Sequence, residues 1–142
     1  MLDAARSIYA RDTPESVAMR EEVRALILAH ARRLPPQIPI VLTDALANEP
    51  EAIPLFQPTL DLARDRRAPL HLFVLNLSIA ENTRRLTHPT RHSGDKLTDT
   101  EVLHHLRDRQ TLFVPEQAQV LDVTHLSADA AASTIVQHVE RP

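Results

Sequence analysis

The chain has 142 residues, a net charge of −3, 43% hydrophobic residues and a single glycine, Gly94. A dinucleotide-binding fingerprint needs three glycines and a Walker A phosphate loop needs two, so this composition excludes both motifs. The slightly acidic charge, with only three Phe, one Tyr and no Trp, argues against nucleic acid as a partner.

The absence of cysteine excludes disulfides and thiolate chemistry and fits a reducing compartment. The N-terminus has no apolar signal segment, and no stretch approaches the length of a membrane span. We therefore expect a cytoplasmic protein that does not contact a membrane.

The first predicted element is an amphipathic helix from about Thr13 to Leu34. Thr13 can cap the helix, and Pro14 suits its first position. The apolar positions follow helical spacing along one face. They are Met19, Val23, Leu26, Ile27 and Leu34. We expect this face to pack against the rest of the protein.

Three short apolar runs predict β-strands: Ile38–Thr43, Leu70–Leu77 and Val120–Val123. Their apolar residues are continuous rather than alternating, which is typical of strands buried on both faces of a parallel sheet.

Helical segments lie between and after these runs. Residues 48–67 predict an irregular turn, interrupted by prolines, and then a helix. Capping-box spacing at Ser78–Glu81 and at Thr98–Glu101 predicts two further helices, and Ser127 starts a terminal one. The alternation predicts a single α/β domain over residues 1–142, with three layers: a mostly parallel sheet and flanking helices.

Polar residues follow each predicted strand, where ligands bind in open parallel sheets. These groups are Thr43–Asp44, Asn76–Ser78 and Asp122–His125. Asp44 could hold Mg²⁺ through water or accept a proton from an attacking hydroxyl. The alternative is that Asp44 only tightens its loop through an Asx turn.

An arginine cluster is the second candidate feature. Arg84 and Arg85 end a short predicted helix, and Arg91 lies in the polar loop 87–97, which we interpret as a mobile lid. Such arginines could neutralise charge during phosphoryl transfer. The alternative is a solvated helix end whose positive charges complement the helix dipole.

The eight histidines suggest a metal site only weakly. His88 and His92 are four residues apart, but Pro89 between them argues against a regular helix. Cysteine and an HExxH motif are both absent, so we predict no metal site and expect most histidines on the surface.

Three segments, taken in chain order, resemble the C-terminal two thirds of small P-loop kinases of the AAA-like, gluconate kinase, shikimate kinase and chloramphenicol phosphotransferase type. They are LHLFVLNLSIAENTRRL, the lid THPTRHSGDKLTDTEVL and VLDVTHLSADAAASTIVQHV. The resemblance implies ATP and Mg²⁺ as cofactors and a nucleotide and a small-molecule acceptor as partners. It implies that Arg84, Arg85 or Arg91 clamps the phosphates and that Thr124 lies beside the base. The segment IPIVLTDAL looks like the family's strand that ends in an acidic residue, which is Asp44 here.

The first strand, the glycine-rich loop and the first helix of that family have no counterpart in this sequence. The missing strand would leave a gap between the strands at 38–43 and 70–77, to be closed by rearrangement, by a second chain of a homo-oligomer or by sequence before Met1.

Two functions follow as expectations. One is the C-terminal portion of a kinase that, in its complete form, transfers phosphate from ATP to a small molecule. The alternative is a non-catalytic anion-binding or assembly module of degenerate kinase fold.

Overall fold

The computed structural model describes residues 8–10, 13–89 and 97–140. Within these ranges the chain forms five helices and one parallel sheet of two strands, which confirms the mixed α/β class. In chain order they are α1 (Pro14–Ala31), α2 (Ala52–Arg66), β1 (Phe73–Asn76), α3 (Ile79–Leu86), α4 (Thr100–Arg109), β2 (Gln119–Asp122) and α5 (Ala128–Val139). The chain divides into two compact units, Met1–Thr43 with Ile53–Leu70 and Asp44–Ala52 with His71–Pro142.

In the first unit, α1 begins where the sequence predicts. The Thr13 hydroxyl accepts a hydrogen bond from the Ser16 amide at 3.2 Å, so Thr13 caps the helix. The small core of this unit joins Leu28 and Ala31 of α1 to Leu62 of α2, with Ile40 packed against them.

The face of α1 that is buried differs from the predicted one. Leu28 and Ala31 face α2, and Arg32 reinforces this side through a 2.9 Å bond to Asp65. The predicted face is left half-buried or exposed, and Leu26 is 60% exposed. The prediction was wrong because α1 carries two neighbouring apolar stripes, and helical spacing alone does not say which stripe meets a partner.

The prediction of a strand at Ile38–Thr43 is also wrong. Two features within the segment oppose strand pairing. Pro39 has no amide hydrogen for a ladder, and the Ile38 carbonyl accepts a hydrogen bond from Arg66 at 2.7 Å. Residues 39–46 have no regular structure, and Val41 is 88% exposed. The described part of the chain therefore has two sheet strands where three were predicted.

Helix α2 runs without the predicted interruption, since it includes both Pro54 and Pro58. It ends in a Schellman motif: the Arg67 amide donates to the Arg64 carbonyl and the Ala68 amide to the Ala63 carbonyl, both at 3.0 Å. Arg67 has a φ of 51°, the left-handed conformation that glycine usually supplies at this position. This glycine-poor chain uses arginine there instead.

The second unit contains the sheet. β1 and β2 are parallel, in register from Phe73 opposite Gln119 to Asn76 opposite Asp122. The two later strand predictions are therefore confirmed, the first over a shorter span and the second shifted by one residue. The Phe73 ring meets the His138 ring of α5 edge to face, with centroids 6.1 Å apart, and this contact packs α5 against β1.

The helices of the second unit start at polar caps. Ser78 caps α3 and Ser127 caps α5, as predicted. Asp99, rather than Thr98, caps α4: its carboxylate accepts from the amides of Glu101 and Val102. A carboxylate at this position also interacts favourably with the positive end of the helix dipole.

Candidate functional site

The loops that follow β1 and β2 lie side by side at the carboxyl ends of the strands. The Val123 amide donates to the Asn76 carbonyl at 2.8 Å, and the Ser78 amide donates to the Thr124 hydroxyl at 2.9 Å. Two of the three polar groups that the sequence placed after strands are thus brought together. We call the residues at this position, with the basic end of α3, the strand-end cluster.

Asp122 and Thr124 fix the loop after β2. The Asp122 carboxylate accepts from the Thr124 amide at 2.8 Å. Interaction with the Thr124 hydroxyl and amide, and to a smaller extent with His125, lowers the pKa of Asp122 below its ordinary value. Thr124, predicted to lie beside a nucleotide base, uses its hydroxyl to hold Ser78.

The Glu81 carboxylate binds both arginines of α3. Arg84 donates to it from Nε at 2.6 Å and from Nη2 at 2.7 Å, and Arg85 donates from Nε at 2.7 Å. Hydrogen bonds from Arg84 and then Arg85 lower the pKa of Glu81 from 4.5 to about 2. Glu81 also raises the pKa of Arg84. The spacing of three and four residues is the sequence signal for these pairs, which the sequence analysis had not used.

Arg85 links α3 to the loop after β2. Its Nη2 donates to the Val123 carbonyl at 2.7 Å and to the Leu126 carbonyl at 2.9 Å, while Nε is held by Glu81. The side chain is 34% exposed. These three partners identify Arg85 as a tie between α3 and the loop after β2, since its hydrogen bonds are already directed at protein atoms.

Arg84 is the more accessible of the two arginines. Its side chain is 66% exposed, and Glu81, three residues earlier on α3, is the partner that orients it. Arg107 of α4 also reaches the cluster, where its Nη2 donates to the Leu77 carbonyl. Arg107 was not predicted, because its place beside β1 depends on how α4 packs, which no local pattern indicates.

Asp44 and Arg91 are the remaining predicted site residues. Asp44 precedes the bridge between Ala47 and Leu112 and lies on an irregular segment, because residues 38–43 form no strand that could end at it. Arg91 lies outside the described residues, as does most of the predicted lid 87–97. Only part of the predicted phosphate clamp, Arg84 and Arg85, can therefore be placed.

The described residues contain neither a metal-binding cluster nor a helix that could span a membrane. No three His, Cys, Asp or Glu side chains in these ranges are grouped closely enough to hold a metal ion. None of the described helices has the length and apolar character needed to cross a membrane.

Comparison of the chain with protein-family models, curated protein sequences and solved structures finds no match. The resemblance to P-loop kinases therefore stays a prediction.

Proposed function

We propose that this chain is a cytoplasmic, non-catalytic assembly module that associates with further copies of itself. The observation that carries the proposal is the exposure of large apolar side chains on regular elements of both units. Leu26 of α1 and Val120 of β2 are 60% and 58% exposed, and Ile53 of α2 is exposed as well. Apolar surface of this kind, when contiguous, marks sites of protein association.

The sheet supports the same proposal. Parallel strands usually occur in sheets that helices cover on both faces. Here the sheet has two strands, and Leu75 and Val120 remain exposed on it. Val120 pairs with Val74 and Leu75 pairs with Leu121, so the two exposed side chains lie on opposite faces of the sheet. Burying each of them against a further surface would give the sheet the cover that parallel sheets normally have.

The strand-end cluster favours a structural role over ligand binding. Arg85, Ser78 and Thr124 direct their hydrogen bonds to atoms of the chain itself. An anion would have to displace Glu81 from Arg84 and Arg85 to receive their full charge. The cluster therefore acts best as a scaffold that fixes two loops and α3.

A second candidate is ATP-dependent phosphotransfer to a small molecule. The observation that favours it is the exposed Arg84 beside the carboxyl ends of two parallel strands, where ligands bind in open α/β sheets. In this candidate Arg84, Arg85 and Arg91 contact phosphates, Thr124 lies beside the base, and Asp44 binds Mg²⁺.

Two measurements on the full chain distinguish the candidates. Light scattering after size exclusion should give a mass above the 16.0 kDa of one chain at micromolar concentration. Calorimetry with ATP and Mg²⁺ should show no binding. A mass of one chain at every concentration would contradict the assembly module, and Mg²⁺-dependent ATP binding with turnover would establish the kinase candidate in its place.

A further inference from the structure

The first feature is the edge of β1 that faces away from β2, which we call the outer edge. The Val123 amide donates to the Asn76 carbonyl at 2.8 Å, and successive strand residues direct their backbone groups to alternate sides. Val74 and Asn76 therefore direct their amide and carbonyl groups toward β2. Phe73 and Leu75 direct theirs to the other side, where these groups form no hydrogen bond within the described part of the chain. The outer edge is thus open to a further strand.

Arg107 limits the outer edge at the C-terminal end of β1. Its Nη2 donates to the Leu77 carbonyl, which belongs to the same outward-facing series. The Leu77 amide is held by the Asn76 side chain at 3.0 Å. Among the described residues, Arg107 forms no ion pair with an acidic side chain. The open stretch therefore comprises residues 73–75, and a strand added there would end beside a cation.

β1 has the composition of a strand with a neighbour on each side. Its first three residues are Phe73, Val74 and Leu75, whereas β2 begins with Gln119 and ends with Asp122. Interior strands of parallel sheets are continuously apolar, and charged residues are typical of protected edges. The composition therefore favours a third strand on the outer edge of β1 over one beside β2.

Residues 41–43 form the second feature, an exposed segment suited to strand pairing. All three residues are exposed and lie in the irregular stretch 39–46, and Val41 is 88% exposed. Their backbone groups form no hydrogen bond in the described ranges. The Ile38 carbonyl and Pro39, which oppose strand pairing, both precede this segment. Val41 and Thr43 are β-branched, which favours extended structure.

The segment and the outer edge match in length, and a flanking charge selects their orientation. In parallel orientation, residues 41–43 lie opposite residues 73–75, and the next residue, Asp44, reaches the end of β1 where Arg107 lies. The carboxylate and the guanidinium are then complementary. In antiparallel orientation Asp44 would lie at the opposite end of β1. The charges therefore favour parallel pairing, the same orientation that β1 and β2 have.

We propose that residues 41–43 of one copy add to the outer edge of β1 in a second copy as a third, parallel strand that ends with Asp44 beside Arg107. This inference rests on the proposed self-association and names the segment and the edge that make it. Each copy offers both parts, so a two-fold pair exchanges the segment reciprocally. Main-chain hydrogen bonds supply the affinity in strand addition of this kind.

Cysteine cross-linking tests the partner and the direction, because the sequence contains no cysteine. The test variant combines Thr43→Cys with Leu75→Cys, positions that pair in the parallel arrangement. The matched control combines Val41→Cys with Leu75→Cys, positions that pair only in the antiparallel one. Paired strands lie about 4.8 Å apart, within reach of a disulfide. Mild oxidation should convert the test variant into a covalent dimer on non-reducing electrophoresis and leave the control as single chains.

The other outcomes of cross-linking separate this inference from the proposed function. A disulfide formed within single chains would show that the segment pairs with its own sheet, which overturns the second copy as occupant. Equal cross-linking of the control would overturn the parallel orientation. If neither variant cross-links although the wild type self-associates, the assembly module stands and the strand addition is overturned. A wild type that remains a single chain at every concentration overturns both.

Paired substitutions test whether backbone hydrogen bonds carry the association. Val41→Pro with Leu42→Pro removes two consecutive amides, one of which faces β1 in either register, and should weaken self-association by about tenfold or more. The control, Val41→Ala with Leu42→Ala, keeps both amides and should weaken it much less. Equal effects in sedimentation equilibrium would indicate apolar contact without strand pairing and overturn the inference. Circular dichroism checks the fold, and if the proline variant unfolds, the cross-linking result decides.

Discussion

Replacing Arg66 with alanine should destabilise the first unit more than any surface substitution on α2. Arg66 is only 8% exposed, and its guanidinium donates to three carbonyl oxygens. Nε bonds to Leu34 at 3.2 Å, and Nη2 bonds to Pro35 at 2.6 Å and to Ile38 at 2.7 Å. These bonds hold the end of α2 against the turn that follows α1.

The magnitude follows from the kind of bond and from its surroundings. Removing a single hydrogen bond to a charged group lowers the free energy of unfolding by about 1.5–3 kcal/mol. The three bonds come from one guanidinium, and their contributions do not add in full. Leu34, Pro35 and Ile38 are exposed, so water would replace part of the hydrogen bonding that their carbonyl groups lose. We therefore expect Arg66→Ala to lower the free energy of unfolding by about 2–4 kcal/mol.

Urea denaturation followed by circular dichroism measures this loss. The matched control is Arg64→Ala on the same helix, since the Arg64 side chain is 72% exposed and pairs with Asp61 at the surface. The control should change the free energy of unfolding by less than about 0.5 kcal/mol. Equal effects of the two substitutions would refute the structural role assigned to the Arg66 hydrogen bonds.

Two further predictions concern α2 and α3. Arg67→Gly should stabilise the chain by about 0.5–1 kcal/mol in urea denaturation: it relieves the left-handed φ of 51°, and the greater freedom of glycine in the unfolded state offsets part of the gain. Arg67→Ala, which keeps the Cβ atom, should show no such gain, and an equal gain would count against backbone relief. For Glu81, whose pKa falls from 4.5 to about 2 on folding, ionised carboxylate stabilises the fold above pH 4.5, and this contribution is lost as the pH falls toward 2. The difference in unfolding free energy between wild type and Glu81→Gln should therefore shrink from pH 7 to pH 2, and a constant difference would contradict the assigned hydrogen bonds.

Short-range signals identified most helix starts. Thr13, Ser78 and Ser127 each cap a helix by accepting an amide hydrogen bond from three residues ahead, so the cause and its effect lie within one turn. The predicted start of α4 was displaced by one residue because Asp99, a competing cap next to Thr98, takes the amides instead. Within the candidate site, the neighbours Arg84 and Arg85 looked equivalent in sequence. They differ because Arg85 donates to carbonyl groups that lie 38 and 41 residues away along the chain.

The mixed α/β class, the caps of α1, α3 and α5, and the two apolar runs that pair as β1 and β2 could all be predicted from the sequence. Three features became visible only in the folded chain: which stripe of α1 is buried, the absence of Ile38–Thr43 from the sheet, and the hydrogen bonds by which Arg66 joins two segments of the first unit. The difference lies in the separation along the chain between the interacting groups. Caps act within a few residues, whereas the choice between two apolar stripes, or between a strand and an irregular segment, depends on which distant groups are available as partners.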